Sequence, residues 1–556
     1  MPPQPKQPSG NLHPYAGRWV ARLGERIVGQ GGTPEQALWA ARAARSKENP
    51  QIEYIPTVQP LAFSERLESV RNVLPVDVPV FLVGGAVRDA LLMRTTHDLD
   101  FVLPSGALKA GRLTANALRG AFYPLDAVRQ TARVILIAPD GTREFLDFAL
   151  MRGEDLESDL RARDFTINAM AVDLRHPMQL LDPLGGAADL HARQLRACSP
   201  QAFSDDPVRI LRGVRLAAEL GLHIQRETLK YIRQSVGELE RVSSERKRDE
   251  LFRILDGPQP ALALRALEML GALEYVLPEL VNLKSVVQAP PHVADVWTHT
   301  LEVVRNLETL LKVLDLLFNP DAAANLLMGL VSMRLGRYRE LLAEHFKISI
   351  TPERSMRSLL FLAALFLDAA QPQTPQVDEQ GRELIIDNDV VGAQMVEKRG
   401  EALHLSNDEI ARLKTIVRYH MRPILIGQEE DPPSRRTIYR FFRDAGGVGV
   451  DVCLLSLAHI LATYGPTLPQ DAWARHINTV RTLYEAWWEH RQESISPPAL
   501  LSGHDLLNEL RLKPGLHIGQ LLEAIQEAQA TGQVTDRDGA LRLARFWLTE
   551  HNIDHG

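Results

Sequence analysis

Two short stretches of this sequence carry residue types that handle phosphate and metal. The first is Gly84-Gly85-Ala86-Val87-Arg88-Asp89, directly after the apolar run Val80-Phe81-Leu82-Val83. Glycines let a backbone approach a phosphate closely, and the N-terminus of a following helix favours an anion. The second is His97-Asp98-Leu99-Asp100. Residues two apart on a strand face the same side, so Asp98 and Asp100 point together while Leu99 turns inward. Paired carboxylates suit Mg2+, a hard cation that bridges to substrate phosphates. A two-metal arrangement would activate an attacking hydroxyl and stabilise a phosphoryl leaving group. Alone, a Gly-Gly is a turn and an Asp-x-Asp is a solvated strand end. In strand–turn–helix–strand order they form one site.

The elements that must hold this site alternate between helix and strand from Phe63 to about Ala197. Val80–Val83 and Asp98–Leu103 read as strands. Ala132–Ile137 and Glu144–Phe148 read as a hairpin around Asp140-Gly141. This is an α/β domain with a mixed sheet. Before it, residues 17–29 read as a hairpin turning at Gly24-Glu25. A helix capped by Thr33 and opened by Pro34 follows, giving a small β-β-α module and then a Pro-rich, polar linker. From Asp205 onward the spacing is helical throughout. In the segment Asp205-Asp206-Pro207-Val208-Arg209-Ile210-Leu211-Arg212, acids and Pro stand in the first turn of a helix. Asp206, Arg209 and Arg212 then share a face.

The Gly84–Leu92 string, with Asp98 and Asp100, resembles the nucleotidyltransferase superfamily that includes DNA polymerase beta. Within it, the string is most similar to class II CCA-adding enzymes and bacterial poly(A) polymerases. Arg163-Asp164-Phe165-Thr166-Ile167-Asn168-Ala169-Met170-Ala171 looks like that family's triphosphate-contacting segment. The resemblance implies that Asp98 and Asp100 hold Mg2+, and that Gly85, Arg88 and Arg163 bind the triphosphate. Asp206, Arg209 and Arg212 read the base in place of a template. Asp164 and Asn168 support the site, and Glu245, in Ser244–Leu251, braces the base-reading helix. A third carboxylate aligns best at Glu144, with Asp147 as its rival. Two positions depart from the pattern: Ala162 stands where an Arg is usual, and Asp205 where Glu is usual.

The implied fold class is α+β. A polymerase-beta-like catalytic head (63–200) is preceded by the β-β-α module (1–50) and a linker (51–62). A helical neck for base recognition (201–275) follows. Then come a degenerate HD-like domain (276–465) and a C-terminal helical region (466–556) that grips the tRNA acceptor arm. Pro291–Thr300 fits an HD opening helix. Leu367-Asp368, however, replaces the His-Asp pair, and Asn388 replaces another His. Losing two imidazoles argues against a metal there and leaves His292, His299 and His420 packed or exposed. Only about ten residues separate Phe148 from Asp159, where CCA-adding relatives carry a longer, Arg-bearing loop. The short form implies addition of CC rather than CCA, from CTP and ATP as the family's substrates. The alternatives are a poly(A) polymerase, a catalytically dead nucleotide-binding protein and an HD phosphohydrolase.

Bulk properties bound the rest. A chain of 556 residues exceeds one core. The two cysteines exclude a disulfide framework or a cysteine-based zinc site. Residues 1–10 lack the order of a secretory signal and no apolar run is long enough to span a bilayer, so the expectation is a cytoplasmic protein with no membrane partner. The net charge of −7 means that any RNA-binding surface must be a local basic one.

Overall fold

Alternation in the strand Asp98–Leu103 sets the catalytic head: Leu99, Phe101 and Leu103 are buried, and Asp98 and Asp100 are exposed. The computed structural model describes all residues except 1–12, 25, 45–48, 58–60, 139–140, 285, 318, 374, 378–382, 386–387, 430–431, 552 and 554–556. Glu25 and Asp140 of the two expected turns, residues 1–12 and 45–48 of the expected module and residues 58–60 of the expected linker lie outside the described residues. The chain divides into two compact units, Met1–Val242 and Ser243–Gly556.

The first unit opens with β1 (Arg18–Leu23), β2 (Arg26–Gly31), α1 (Pro34–Ala43) and β3 (Gln51–Ile55). Thr33 caps α1 by accepting from the Gln36 amide, and Pro34 occupies its first turn. The β-β-α expectation needs one correction. The stretch read as linker contains a third strand, β3, which pairs antiparallel with β1 so that Trp19 lies opposite Tyr54. The nearby Pro and polar residues masked the alternation of Ile52, Tyr54 and their neighbours.

This module is seated on the head. The Trp19 indole donates to the Leu180 carbonyl at 3.1 Å, Gln36 Nε2 to the Pro183 carbonyl at 3.0 Å, and the Asp182 amide to the Gly32 carbonyl at 2.8 Å. Gly32 is needed there, because a Cβ at that position would overlap the Asp182 carbonyl. Gly32→Ala is therefore expected to unseat the module and leave the rest of the head folded. Limited proteolysis should release a fragment of the module from the variant and spare the native protein; equal resistance in the two proteins would refute the close fit.

The head proper is a seven-stranded mixed sheet. Its strands are β4 (Phe81–Val83), β5 (Asp98–Leu103), β6 (Ala121–Asp126), β7 (Thr131–Ile137), β8 (Arg143–Leu150), β9 (Ala171–Asp173) and β10 (Leu180–Leu181). Their order is β10-β9-β4-β5-β8-β7-β6. The expected β7–β8 hairpin is present. The edge strand β6 carries Pro124, which an edge tolerates and a central strand does not. One face of the sheet is covered by α2 (Glu65–Val73), α3 (Gly85–Leu91) and α4 (Ala107–Leu118), over a core in which Phe101 and Phe148 stack at 4.9 Å. α5 (Leu156–Arg161), α6 (Gly186–His191), α7 (Ala202–Asp205) and α8 (Arg209–Leu220) follow β8 along the chain.

The second unit is almost entirely helical. Helix Val296–Val313 packs against Gly449–Tyr464, and Asn388–Ala402 against Asn407–Tyr419. A separate small core gathers Leu506, Leu521, Ile525 and Leu548 near the C-terminus. Among the described residues, the helical run Arg435–Thr467 has the length and composition of a membrane span. Its apolar window is 83% buried inside the unit, as a core helix is.

Candidate active site

Register brings the acids together. β4 runs antiparallel to β5 with Val83 opposite Asp100, so the turn at Gly84 lies beside that carboxylate. β5 runs parallel to β8 with Asp100 opposite Asp147. Asp98, Asp100 and Asp147 therefore share one face of the sheet.

The expectation of Glu144 as third carboxylate is overturned. Glu144 shares the opposite face with the buried Leu146 and Phe148, and its carboxylate pairs with Arg66 of α2 at 2.6 Å. Asp147, the rival, lies on the face of Asp98 and Asp100 and is gripped by Arg133 from β7 through contacts of 2.8 and 2.9 Å. The signal was in the sequence: apolar residues at 146 and 148 put 147 on the polar face and 144 on the core face.

Gly84 adopts φ 78° and ψ −140°, a conformation that favours glycine. A Cβ there would sit 3.3 Å from both Arg163 Nη1 and Asp100 Oδ2. The glycine turn, the phosphate-type arginine and the metal-type carboxylate thus meet within contact distance. Asp100 is open to solvent on one side and crowded on the others. Loss of its water shell pushes its pKa up to about 6, Asp147 and Asp98 add to the rise, and Arg163 and Arg133 oppose it. A carboxylate so placed is short of positive charge, which a divalent cation would supply. The residues present fit such an ion.

The cations around this face are held in place. Arg163 donates from Nε and Nη2 to Asp159 Oδ2, each at 3.1 Å. Asp159 is buried and also accepts from the Arg152 amide. Sequence reading gave Asp159 no role, although its i,i+4 spacing to Arg163 on a helical turn was the available signal. Arg88 Nη1 donates to Asn168 Oδ1 at 2.8 Å, and Asn168 Nδ2 to Asp164 Oδ1 at 3.2 Å. Arg212 donates to Asp164 Oδ2 at 3.1 Å. A continuous chain Arg88–Asn168–Asp164–Arg212 thus joins the glycine-turn helix α3 to α8. The expected supporting pair, Asp164 and Asn168, stands in the middle of it.

The base-reading trio is arranged differently from the expected single helix face. α8 begins at Arg209, and Asp206 lies ahead of it in extended backbone. Asp205 ends α7 rather than opening α8. Arg209 is buried and donates to the carbonyls of Ala162 and Ala202 at 3.0 and 3.2 Å, with its Nε 3.9 Å from Asp206. It ties the start of α8 to the segment that carries Arg163. Glu245, in the second unit, lies 3.5 Å from His404.

Comparison with known proteins identifies relatives over most of the chain. Residues 80–196 match the poly A polymerase head domain, and residues 221–283 match a probable RNA and SrmB-binding site of polymerase A. Residues 11–58 match a family of unknown function. The chain is 31% identical to the A-adding tRNA nucleotidyltransferase of Deinococcus radiodurans, covering 84% of this chain and 95% of that protein. It is 30% identical to the CC-adding tRNA nucleotidyltransferase of Geobacter sulfurreducens (84% and 92%) and 31% identical to that of Thermus thermophilus (84% and 93%). A CCA-adding enzyme solved with CTP shares the fold, with TM-score 0.56 and 22% identity over 87% of this chain and 96% of that one. So does the Thermotoga maritima CCA-adding enzyme complexed with tRNA-CCA, with TM-score 0.53 and 21% identity over 88% and 97%. Identity of 31% to relatives covered over more than nine-tenths of their length shows that the chain belongs to the tRNA nucleotidyltransferase family.

Proposed function

We propose that the chain adds CC to the 3′ end of tRNA from CTP and leaves the terminal A to a separate enzyme. The connection between β8 and α5 carries this reading. Leu150 ends the strand and Leu156 begins the helix. The few residues between them are pinned, with the Arg152 amide donating to Asp159 and Asp155 capping α5 by accepting from the Ser158 amide. A pocket that must change from C to A between additions needs a segment with reach, and this one has little. The CC-adding relatives support the reading, while the A-adding relative favours the converse specialist.

Nucleotidyltransferases of the polymerase-beta type are generally dependent on a divalent metal. Here Asp98, Asp100 and Asp147 would hold Mg2+, which when bound supplies a more acidic attacking hydroxyl and charge neutralisation for the leaving group. The backbone at Gly84 and Gly85, with Arg88 and Arg163, receives the triphosphate; Arg163 then shares its donors between Asp159 and phosphate. Asp206 and Arg212 present an acceptor and donors to the base edge, and Arg209 fixes the start of α8 beneath them. The 3′-hydroxyl of the tRNA attacks the α-phosphate, loses its proton, and pyrophosphate leaves. Residues 466–556 bind the acceptor arm, and the protein acts in the cytoplasm.

The test is incorporation on three synthetic tRNAs, ending before the tail, after C and after CC, with CTP and ATP supplied separately and together. The expected product stops at CC. Extension only of the CC-ending tRNA, with A, would make the protein the converse specialist. Complete CCA would show that the short loop is compensated. Long A tracts on unrelated RNA would move the activity to poly(A) addition.

A further inference from the structure

We propose that the helical unit carries a divalent-cation site of its own, ligated by His292, His299 and His459 with Asp368 beside them. Its chemistry suits an imidazole-preferring cation of the Zn2+ class. The site gathers residues from segments distant in sequence. His292 precedes helix Val296–Val313 and His299 lies on it; His459 lies on Gly449–Tyr464; Asp368 follows Met356–Ala364; His420 follows Asn407–Tyr419. One ring nitrogen from each of His292, His299 and His459 lies within 4.8 Å of the others. The His299 ring centroid is 5.2 Å from that of His292 and 5.0 Å from that of His459.

The condition of the ring nitrogens points to a ligand. His299 is 1% exposed; its polar neighbours are Asp368 and the Ala462 backbone, and neither gives a ring nitrogen a well-formed hydrogen bond. Its Nε2 lies 3.4 Å from Asp368 Oδ2. His459 is 4% exposed, and its Nδ1 also lacks a partner. A buried polar atom without a partner costs about 1–3 kcal/mol, so poorly satisfied ring nitrogens on His299 and His459, in one cluster, favour an occupant. The neighbours are oriented as metal-site histidines are. His292 Nδ1 lies 3.2 Å from the Ala289 carbonyl, and His420 Nδ1 lies 2.8 Å from the Val417 carbonyl. A carbonyl can only accept, so Nδ1 carries the proton and Nε2 keeps its lone pair for a cation. Asp368 Oδ1 accepts from Gln371 and Asn388, which leaves Oδ2 turned to His299.

Three imidazoles and one carboxylate are the donor set of Zn2+ and its neighbours; Mg2+ and Ca2+ prefer all-oxygen shells. A cavity of about 480 Å³ is lined by His292, Asp368, His420 and His459, which leaves room for water or an anion at an open coordination position. The sequence argument against a metal here rested on two missing imidazoles, replaced by Leu367 and Asn388. Leu367 is indeed packed in the core, but His292 and His459 supply imidazoles in its stead.

The experiment uses the full chain, stripped with EDTA and titrated with Co2+ as a spectroscopic stand-in for Zn2+. The expected result is one tight equivalent with strong visible absorption of low-coordinate Co2+, displaced by Zn2+. His292→Ala, on a partly exposed segment, and His459→Gln should each weaken the affinity about tenfold or more. Asp100→Asn should leave it unchanged. Should His459→Gln misfold by circular dichroism, His292→Ala decides alone. Absence of the band up to millimolar Co2+ would overturn the proposal. So would a band that survives both substitutions, as binding at the surface group Glu485, Glu489 and His490 would give.

Discussion

Asp100→Asn is expected to abolish nucleotide transfer and to raise the melting temperature of the metal-free protein. Both effects come from one fact: Asp100 lies in register with Asp147 and two residues from Asp98 on the same face. Loss of water, then the two acids, pushes its pKa up to about 6. A folded-state pKa above the unfolded value means that folding favours the protonated form. At pH 8 the ionised carboxylate therefore costs stability, and a neutral isostere removes that cost. Because the group is open to solvent, the gain is discounted to no more than about 1 kcal/mol, which is a few degrees for a unit of this size. The gain should fade by pH 5, where wild-type Asp100 is already largely protonated. Transfer, by contrast, should fall by a factor of at least about 10³, since a ligand of the catalytic cation is lost. Scanning fluorimetry in EDTA at both pH values and single-nucleotide incorporation with Mg2+ would read the two effects. Activity within tenfold of wild type would sink the metal assignment. A lower melting temperature at pH 8 would sink the electrostatic one.

The Asp98 and Asp100 pair was legible because Leu99 and Phe101 alternate with it, and a period of two can be read from one strand. The third carboxylate was harder, since Glu144 and Asp147 differ in which face they occupy. Which face each occupies is hinted at by Leu146 and Phe148 and is shown by the register of β8 against β5. β3 was missed because its single short run of alternation lies among residues that read as linker. The start of α8 was misjudged because Asp205, Asp206 and Pro207 carry first-turn chemistry, yet the chain between α7 and α8 is extended at Asp206. Of the histidine cluster in the helical unit, His292, His299 and His420 were visible in the HD-like pattern, but His459 was not. The members of the cluster are drawn together by packing of segments far apart in sequence, and no local spacing announces His459.

Asp164→Ala should be the most destabilising single change at the site. The carboxylate is 6% exposed and accepts from the Phe165 amide, Asn168 and Arg212. Burial alone would raise its pKa, but Arg212 and the other donors win and hold it below the usual carboxylate range. Its stabilisation is therefore present above that range and fades as the pH falls through the depressed value. Removing it strands a cation and two amide donors, at a cost of about 3–5 kcal/mol, or on the order of 10 °C for the first unit. Pairing it with Arg212→Ala should cost less than the sum, since the second change removes the stranded charge. A strictly additive double mutant would show that the two residues do not act through each other. The same chain predicts a functional signature that destabilisation does not imply. Asp164 connects Arg88 and Asn168, beside the glycine turn proposed to take phosphate, to Arg212, proposed to read the base. At a temperature where Asp164→Asn remains folded, that variant should raise KM for CTP and narrow the preference for CTP over UTP together. A change in only one of the two would mean that the phosphate and base sides are held independently, and that the chain between them is scaffolding alone.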